Sequence, residues 1–286
     1  MISDITLGQF FPGYSFIHKL DPRTKILLAV MFIVAVFVAN NPASFLLVTL
    51  VALLLVGISR IGYGVVLKGI KPIVIILIIT ALINVFLTKG EGEPLVSFWV
   101  IKIYEEGIVR AVFMALRVIV LIIGTSVLLT YTTSPISLTD GIESLLSPLK
   151  KIKIPVHTFA MMMSIALRFI PTLIEETEKI MNAQKSRGAD FTTGGLVKRA
   201  KALIPLLVPL FVSSFKRAEE LATAMECRCY RGDKNRTKLI KLEMRGRDYS
   251  ALFFGVLLVG AIIVGAILPY RLESLGRVYD VVFYKI

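Results

Sequence analysis

The uncharged stretches of this chain come in blocks of membrane length. Ile26 to Ser59 carries no charged residue over 34 positions and is interrupted only by Asn40-Asn41-Pro42. As a single helix that run would measure about 50 Å, against a hydrocarbon core of about 30 Å. Asn-Asn-Pro is a turn signal, and Pro42 pushes the residue before it out of helical geometry. The run therefore splits into two predicted spans, 24–39 and 43–59. Further apolar stretches predict spans at 72–88, 108–130 and 249–270. The fold class expected is all-α, a polytopic membrane protein with about five transmembrane helices.

Basic residues set the orientation. With five spans and a cytoplasmic N-terminus, the inner segments are 1–23, 60–71 and 131–248. They hold His18, Lys19 and Arg23, then Arg60, Lys68 and Lys71, then 20 Lys and Arg. The outer loop 89–107 has Glu91, Glu93, Glu105 and Glu106 against Lys89 and Lys102, and the tail 271–286 also falls outside. Four spans would place the basic 60–71 loop outside and the acidic loop inside, so five fit better. Three regions follow: a membrane region 1–130, a cytoplasmic or interfacial region 131–248, and a last span with its outer tail, 249–286. Arg110 lies close enough to the outer boundary to snorkel. Arg117, seven residues on and on the same face, is expected to meet protein, either as a hydrogen bond to a neighbouring helix or as a gating contact.

Residues 131–248 carry a net charge of +8, yet their pattern is that of long helices. Ser134-Pro135 and Ser147-Pro148 bracket a short amphipathic helix over 136–147. Lys150, Lys151 and Lys153 follow, a cluster suited to anionic lipid at the inner leaflet. From Val156 to about Arg187, Phe159, Met162, Met163, Ala166, Phe169, Ile170, Leu173, Ile174, Ile180 and Met181 recur at three- and four-residue steps. A second helix is predicted from about Leu196 to Tyr230, through Pro205 and Pro209. Both begin apolar and finish charged.

Their ends correspond. Setting Arg187 over Arg228 aligns Glu178 with Glu219, Ala183 with Ala224, Ser186 with Cys227 and Gly188 with Cys229. Each helix thus presents an arginine between two small residues. Capping explains one such arginine, because cations favour helix C-termini. Two alike point further, to guanidinium forks entering a partner's grooves and binding carboxylates there. Ala183 and Ala224 are candidates for a close helix crossing. The first helix is expected to stop at Gly188, a left-handed cap, and the second to run on to Tyr230-Arg231-Gly232.

Composition narrows the class. Of 286 residues, 56% are hydrophobic and 19% charged, with a net charge of +13. Soluble proteins average about 45–50% and 25%, so neither a disordered chain nor a basic nucleic-acid-binding globule fits. Cys227 and Cys229 are too few for a disulfide framework and, with only His18 and His157 elsewhere, make a poor metal site. The first 25 residues lack the apolar run of a cleavable secretory signal. A membrane-embedded enzyme would need paired His, Glu or Asp at membrane depth, whereas the two histidines are far apart and no H-E-x-x-H occurs. No G-x-x-x-x-G-K-[ST] sequence is present to cradle nucleotide phosphates, so a motor must be another polypeptide.

Five segments carry a family resemblance: SFIHKLDPRTK at 15–25, LRFIPTL at 167–173, AQKSRGAD at 183–190, PLLVPL at 205–210 and AMECRCYRG at 224–232. Together they resemble the transmembrane T component of energy-coupling factor (ECF) transporters, ABC-type vitamin and metal importers of prokaryotes. That resemblance implies a multi-pass subunit of the cell (inner) membrane, non-catalytic and without a cofactor of its own, ATP and Mg being bound by partners. It implies that Ser186-Arg187-Gly188 and Cys227-Arg228-Cys229 end long coupling helices, each docking into one of two ABC-type ATPase subunits. It further implies a separate membrane S component, which binds substrate, seated on the apolar halves of those helices; Pro171 and Pro205 fall within the matching segments. Cysteine on both sides of Arg228 departs from the usual Ala or Gly in identity, not in size. An ordinary ABC permease half, lining its own path, is the alternative within transport; it usually offers one main docking helix, not two.

Overall fold

The structure is a computed structural model, described for residues 10–88, 96–98, 101–153, 155–189, 191, 195–230, 232 and 242–267. The tail 271–286, the acidic stretch 89–95 and Arg231 of the anticipated second helix end lie outside these residues. Two compact units form, one from described residues within 8–141 and 242–286, the other from those within 142–241.

The first unit opens with α1 (Pro22–Val38) and α2 (Pro42–Ser59). Asp21 caps α1, its carboxylate accepting the Arg23 N–H at 2.9 Å, with Pro22 in the first turn where its missing N–H costs nothing. Pro42 opens α2 in the same way, and left-handed Arg60 ends it. Then come α3 (Tyr63–Ile70), a 3₁₀ turn through Pro72, and α4 (Val74–Leu87). The basic 60–71 segment is therefore largely helical, and Tyr63–Leu87 forms one long apolar rod. Between α4 and α5 (Glu105–Thr125), the strands β1 (Val96–Phe98) and β2 (Ile101–Ile103) pair antiparallel, Ser97 opposite Lys102. This small hairpin was not anticipated, since three-residue strands leave no periodicity to read. After α6 (Pro135–Leu145), the long helices α7 (Val156–Ser186) and α8 (Leu196–Cys227) belong to the second unit, and α9 (Gly246–Ile267) returns to the first.

Helices α1 and α5 run antiparallel through three contacts, spaced seven residues apart along α1 and its cap and seven then eight apart along α5 and its continuation. Arg117 donates to Ala39 O at 3.0 Å, the Phe32 ring lies on the backbone of Gly124, and Lys25 Nζ donates to Thr132 O at 2.8 Å. Arg117 thus satisfies a carbonyl at the end of α1, the hydrogen bond to a neighbouring helix weighed above. Gly124 is required by close approach, because a Cβ there would overlap the buried Phe32 ring. Gly124→Ala should cost about 1–3 kcal/mol through overpacking; a lower melting temperature in detergent, partly restored by adding Phe32→Leu, is the expected result.

A π-helical segment, Ser126–Tyr131, extends α5, and the Tyr131 carbonyl accepts the Phe11 N–H at 3.0 Å. Just before α1, His18 bridges Ser15 Oγ (2.6 Å) and Phe11 O (2.9 Å), while partial burial holds its imidazole below the ordinary histidine value. The core gathers Phe32, Val36, Val48, Val56, Val127 and Ile262 from α1, α2, the α5 extension and α9. Outward faces remain apolar and exposed, as at Leu50, Leu53, Ile79, Phe86 and Phe253, which is the surface a bilayer covers.

Among the described residues, five helical stretches are long and apolar enough to cross a membrane: Pro42–Ser59, Tyr63–Leu87, Glu105–Tyr131, Val156–Ser186 and Gly246–Gly265. Helix α1, with 17 residues, sits at the short end of spanning lengths. The inclusion of α7 differs from the aqueous or interfacial reading of 131–248. Its 31 residues make a rod of about 46 Å, and Glu175, Glu176, Glu178, Lys179 and Lys185 crowd its second half. Only the first half suits membrane depth.

Candidate functional site

The two arginine-tipped ends are built alike. At the end of α7, Arg187 has φ −87° and ψ 7°, and Gly188 turns left-handed at φ 85°. The Gly188 N–H reaches back to Lys185 O at 2.9 Å and the Ala189 N–H to Gln184 O at 3.0 Å. At the end of α8, Arg228 has φ −90° and ψ 16°, and Cys229 is left-handed at φ 56°. The Cys229 N–H reaches Glu226 O at 2.8 Å and the Tyr230 N–H reaches Met225 O at 3.1 Å. Both pairs are the 5→2 and 6→1 bonds of a Schellman motif. The backbone alone closes each helix, leaving the arginine side chain free of a capping duty.

This revises the expected end of the second helix. It stops at Cys227, three residues before Tyr230, because Cys229 takes the left-handed position that Gly188 occupies in the other helix. A side chain in that region is strained by about 1–2 kcal/mol. Cys229→Gly should therefore raise amide protection of Cys229 and Tyr230 in hydrogen exchange, and Gly188→Cys should lower that of Gly188 and Ala189.

Ser186, Arg187, Gly188, Cys227, Arg228 and Cys229 are all exposed. Ser186 Oγ donates to Asn182 O at 3.1 Å, and both cysteines are free thiols. Ala183, Ala224, Pro171 and Pro205 are exposed too, with both prolines inside continuous helix. Helices α7 and α8 pack on each other, and their polar joint is Glu176, which accepts from Ser213 Oγ and pairs with Arg217 at 2.6 Å.

That joint was not foreseen, although its signal lay in the sequence. The offset of 41 that superposes the arginines also superposes Glu176 on Arg217, opposite charges at equivalent positions. Each tip consequently lies eleven residues beyond the joint, about 16 Å along either helix. Two arms of equal length leave one ion-paired crossing. Apolar, exposed stretches precede the joint, through Phe159, Met162 and Met163 on α7 and, after the basic start at Lys198, Arg199 and Lys201, Ile204, Val208 and Phe211 on α8. Elsewhere in this unit, His157 Nδ1 and Glu143 Oε1 lie 2.9 Å apart and buried, so His157 is a packed histidine.

Apolar helices of spanning length, with a helix pair that ends in two alike arginine tips, define a polytopic membrane protein. The family described as cobalt transport protein, CbiQ, matches residues 13–239. The energy-coupling factor transporter transmembrane protein EcfT of Clostridium kluyveri is 53% identical over 259 residues, 91% of this chain and 96% of that one. The protein of the same name from Bacillus subtilis (strain 168) is 50% identical over 252 residues, 88% and 94% of the two chains. This chain belongs to that family of ECF transmembrane proteins, and it is a non-catalytic transport subunit.

Proposed function

We propose that the chain couples two ABC-type ATPase subunits to a separate substrate-binding S component in an importer of a vitamin or metal ion. One ATPase docks on Ser186-Arg187-Gly188 and the other on Cys227-Arg228-Cys229. ATP and Mg stay with those partners, and this chain holds no cofactor. The S component lies on the apolar halves of α7 and α8, in a prokaryotic cell membrane with this chain's N-terminus cytoplasmic. Closure of the ATPase pair moves the two tips, and the Glu176–Arg217 joint makes the helices move as one body. The observation that carries this reading is the repeated helix end: two arginines, each presented by the same backbone motif at the same distance from one joint.

The test is affinity purification of the full chain in mild detergent, with every co-eluting chain identified. Two ATPase chains and one small, very hydrophobic membrane protein are expected. Recovery of the chain alone, with uptake intact, would count against the assembly.

A further inference from the structure

A second feature lies apart from the arginine tips. Helices α1, α2 and α9, with Leu128 of the α5 extension, border a groove of about 640 Å³ lined almost wholly by apolar atoms, among them Phe16, Met31, Leu54, Ile58 and Phe254. Its lining runs up to the ends of all three helices on one side. Ile58 is two residues from Arg60, Leu20 is next to Lys19, and Ser250 Oγ donates to Arg247 O at 2.9 Å. Lys19 and Arg60 are exposed and Arg247 is half-buried. Among the described residues, the acids at that end are engaged differently: Asp21 and Asp248 are buried, with carboxylates accepting backbone N–H groups, Asp140 is half-buried on α6, and Glu243 is exposed. Cations from three separate elements thus stand within one to three residues of groove-lining positions along the chain, at the end that faces the inner leaflet if the N-terminus is cytoplasmic as proposed.

We propose that this groove binds one anionic glycerophospholipid of the inner leaflet. An acyl chain fills the slot between α1, α2 and α9, and the headgroup phosphate meets Lys19, Arg60 and Arg247. Charge decides the occupant. A neutral apolar helix from a partner would need no cations at the mouth, whereas a phosphate above an acyl chain needs both features. Each cation near an anionic headgroup is worth about a fivefold gain in occupancy. Bound lipid would staple the first and last helices of the first unit together.

Native mass spectrometry tests this on the full chain purified from membranes and exchanged into equal phosphatidylglycerol and phosphatidylcholine. One retained phosphatidylglycerol per chain is expected. Lys19→Gln, Arg60→Gln and Arg247→Gln combined should remove the preference, and Ala251→Phe should displace lipid of either kind. Retention in the proportions of the mixture would overturn the proposal, as would a preference surviving the triple variant. Because Ala251→Phe could impair folding, a photo-reactive residue at Phe254 in the otherwise native chain supplies a second measurement. Adducts with phospholipid support the assignment, and adducts confined to another protein refute it.

Discussion

Changing Arg187 or Arg228 to alanine should, on the docking proposed above, weaken ATPase binding by about 2–5 kcal/mol if a buried partner carboxylate is left without its counter-charge. Substrate uptake should fall with each single variant and stop with both, since the remaining tip alone no longer closes a two-point attachment. The fold should hardly notice. Both helix ends are closed by backbone hydrogen bonds from residues 188, 189, 229 and 230, none of which uses the guanidinium. A purely capping arginine predicts the opposite pattern: a stability loss of about 0.3–1 kcal/mol from the helix dipole and unchanged partner binding. Arg→Lys at either tip should impair binding as well, because an ammonium keeps the charge but not the planar fork. Pull-down of ATPase subunits and uptake of labelled substrate, measured beside the melting temperature, separate the two accounts. Full uptake with both arginines replaced by alanine would end the docking assignment.

How much of this could be read beforehand depended on what wrote each feature. Spans announce themselves because a lipid-facing helix needs a long uncharged run, and α1, α2 and α9 begin within a few residues of their predicted starts. The two long helices were equally legible, since their apolar positions repeat over eight turns or more. Helix ends are harder. Gly188 signals a left-handed cap by its type, whereas Cys229 adopts the same conformation with nothing in its chemistry to advertise it. Long-range partners are hardest. Arg117 could be placed against protein by the cost of its charge, but Ala39 as the recipient emerges only when α1 and α5 pack. The Glu176–Arg217 pair lay hidden because charges on helices usually face water, and only the 41-residue offset singles it out.

The same limit explains why the anchor of the last helix went unread, and Asp248→Ala should expose it with a loss of about 3–5 kcal/mol. Asp248 is 2% exposed, and its carboxylate accepts the Asp21 N–H at 2.7 Å and the Arg245 N–H at 2.8 Å. Lys25, also 2% exposed, donates to the carbonyls of Thr132 and His18; burial works against its ammonium most, and the charges of Asp248 and Asp21 work for it. Alanine at 248 would strand two backbone donors and remove half of that countercharge at once. Asp248→Asn keeps one acceptor oxygen and should fall between. Adding Lys25→Met to Asp248→Asn should recover part of the loss, because the ammonium that most needs the carboxylate is then gone. Thermal unfolding and the monodispersity of the detergent-solubilised chain are the readouts, and a wild-type melting curve for Asp248→Ala would refute the anchor. The contact spans 227 residues and joins the start of α1 to the start of α9. Its loss should therefore lower stability first and uptake only in proportion to surviving protein, whereas the arginine variants should lower uptake at full stability. Those opposite orders of failure separate what holds the membrane helices together from what the two tips do.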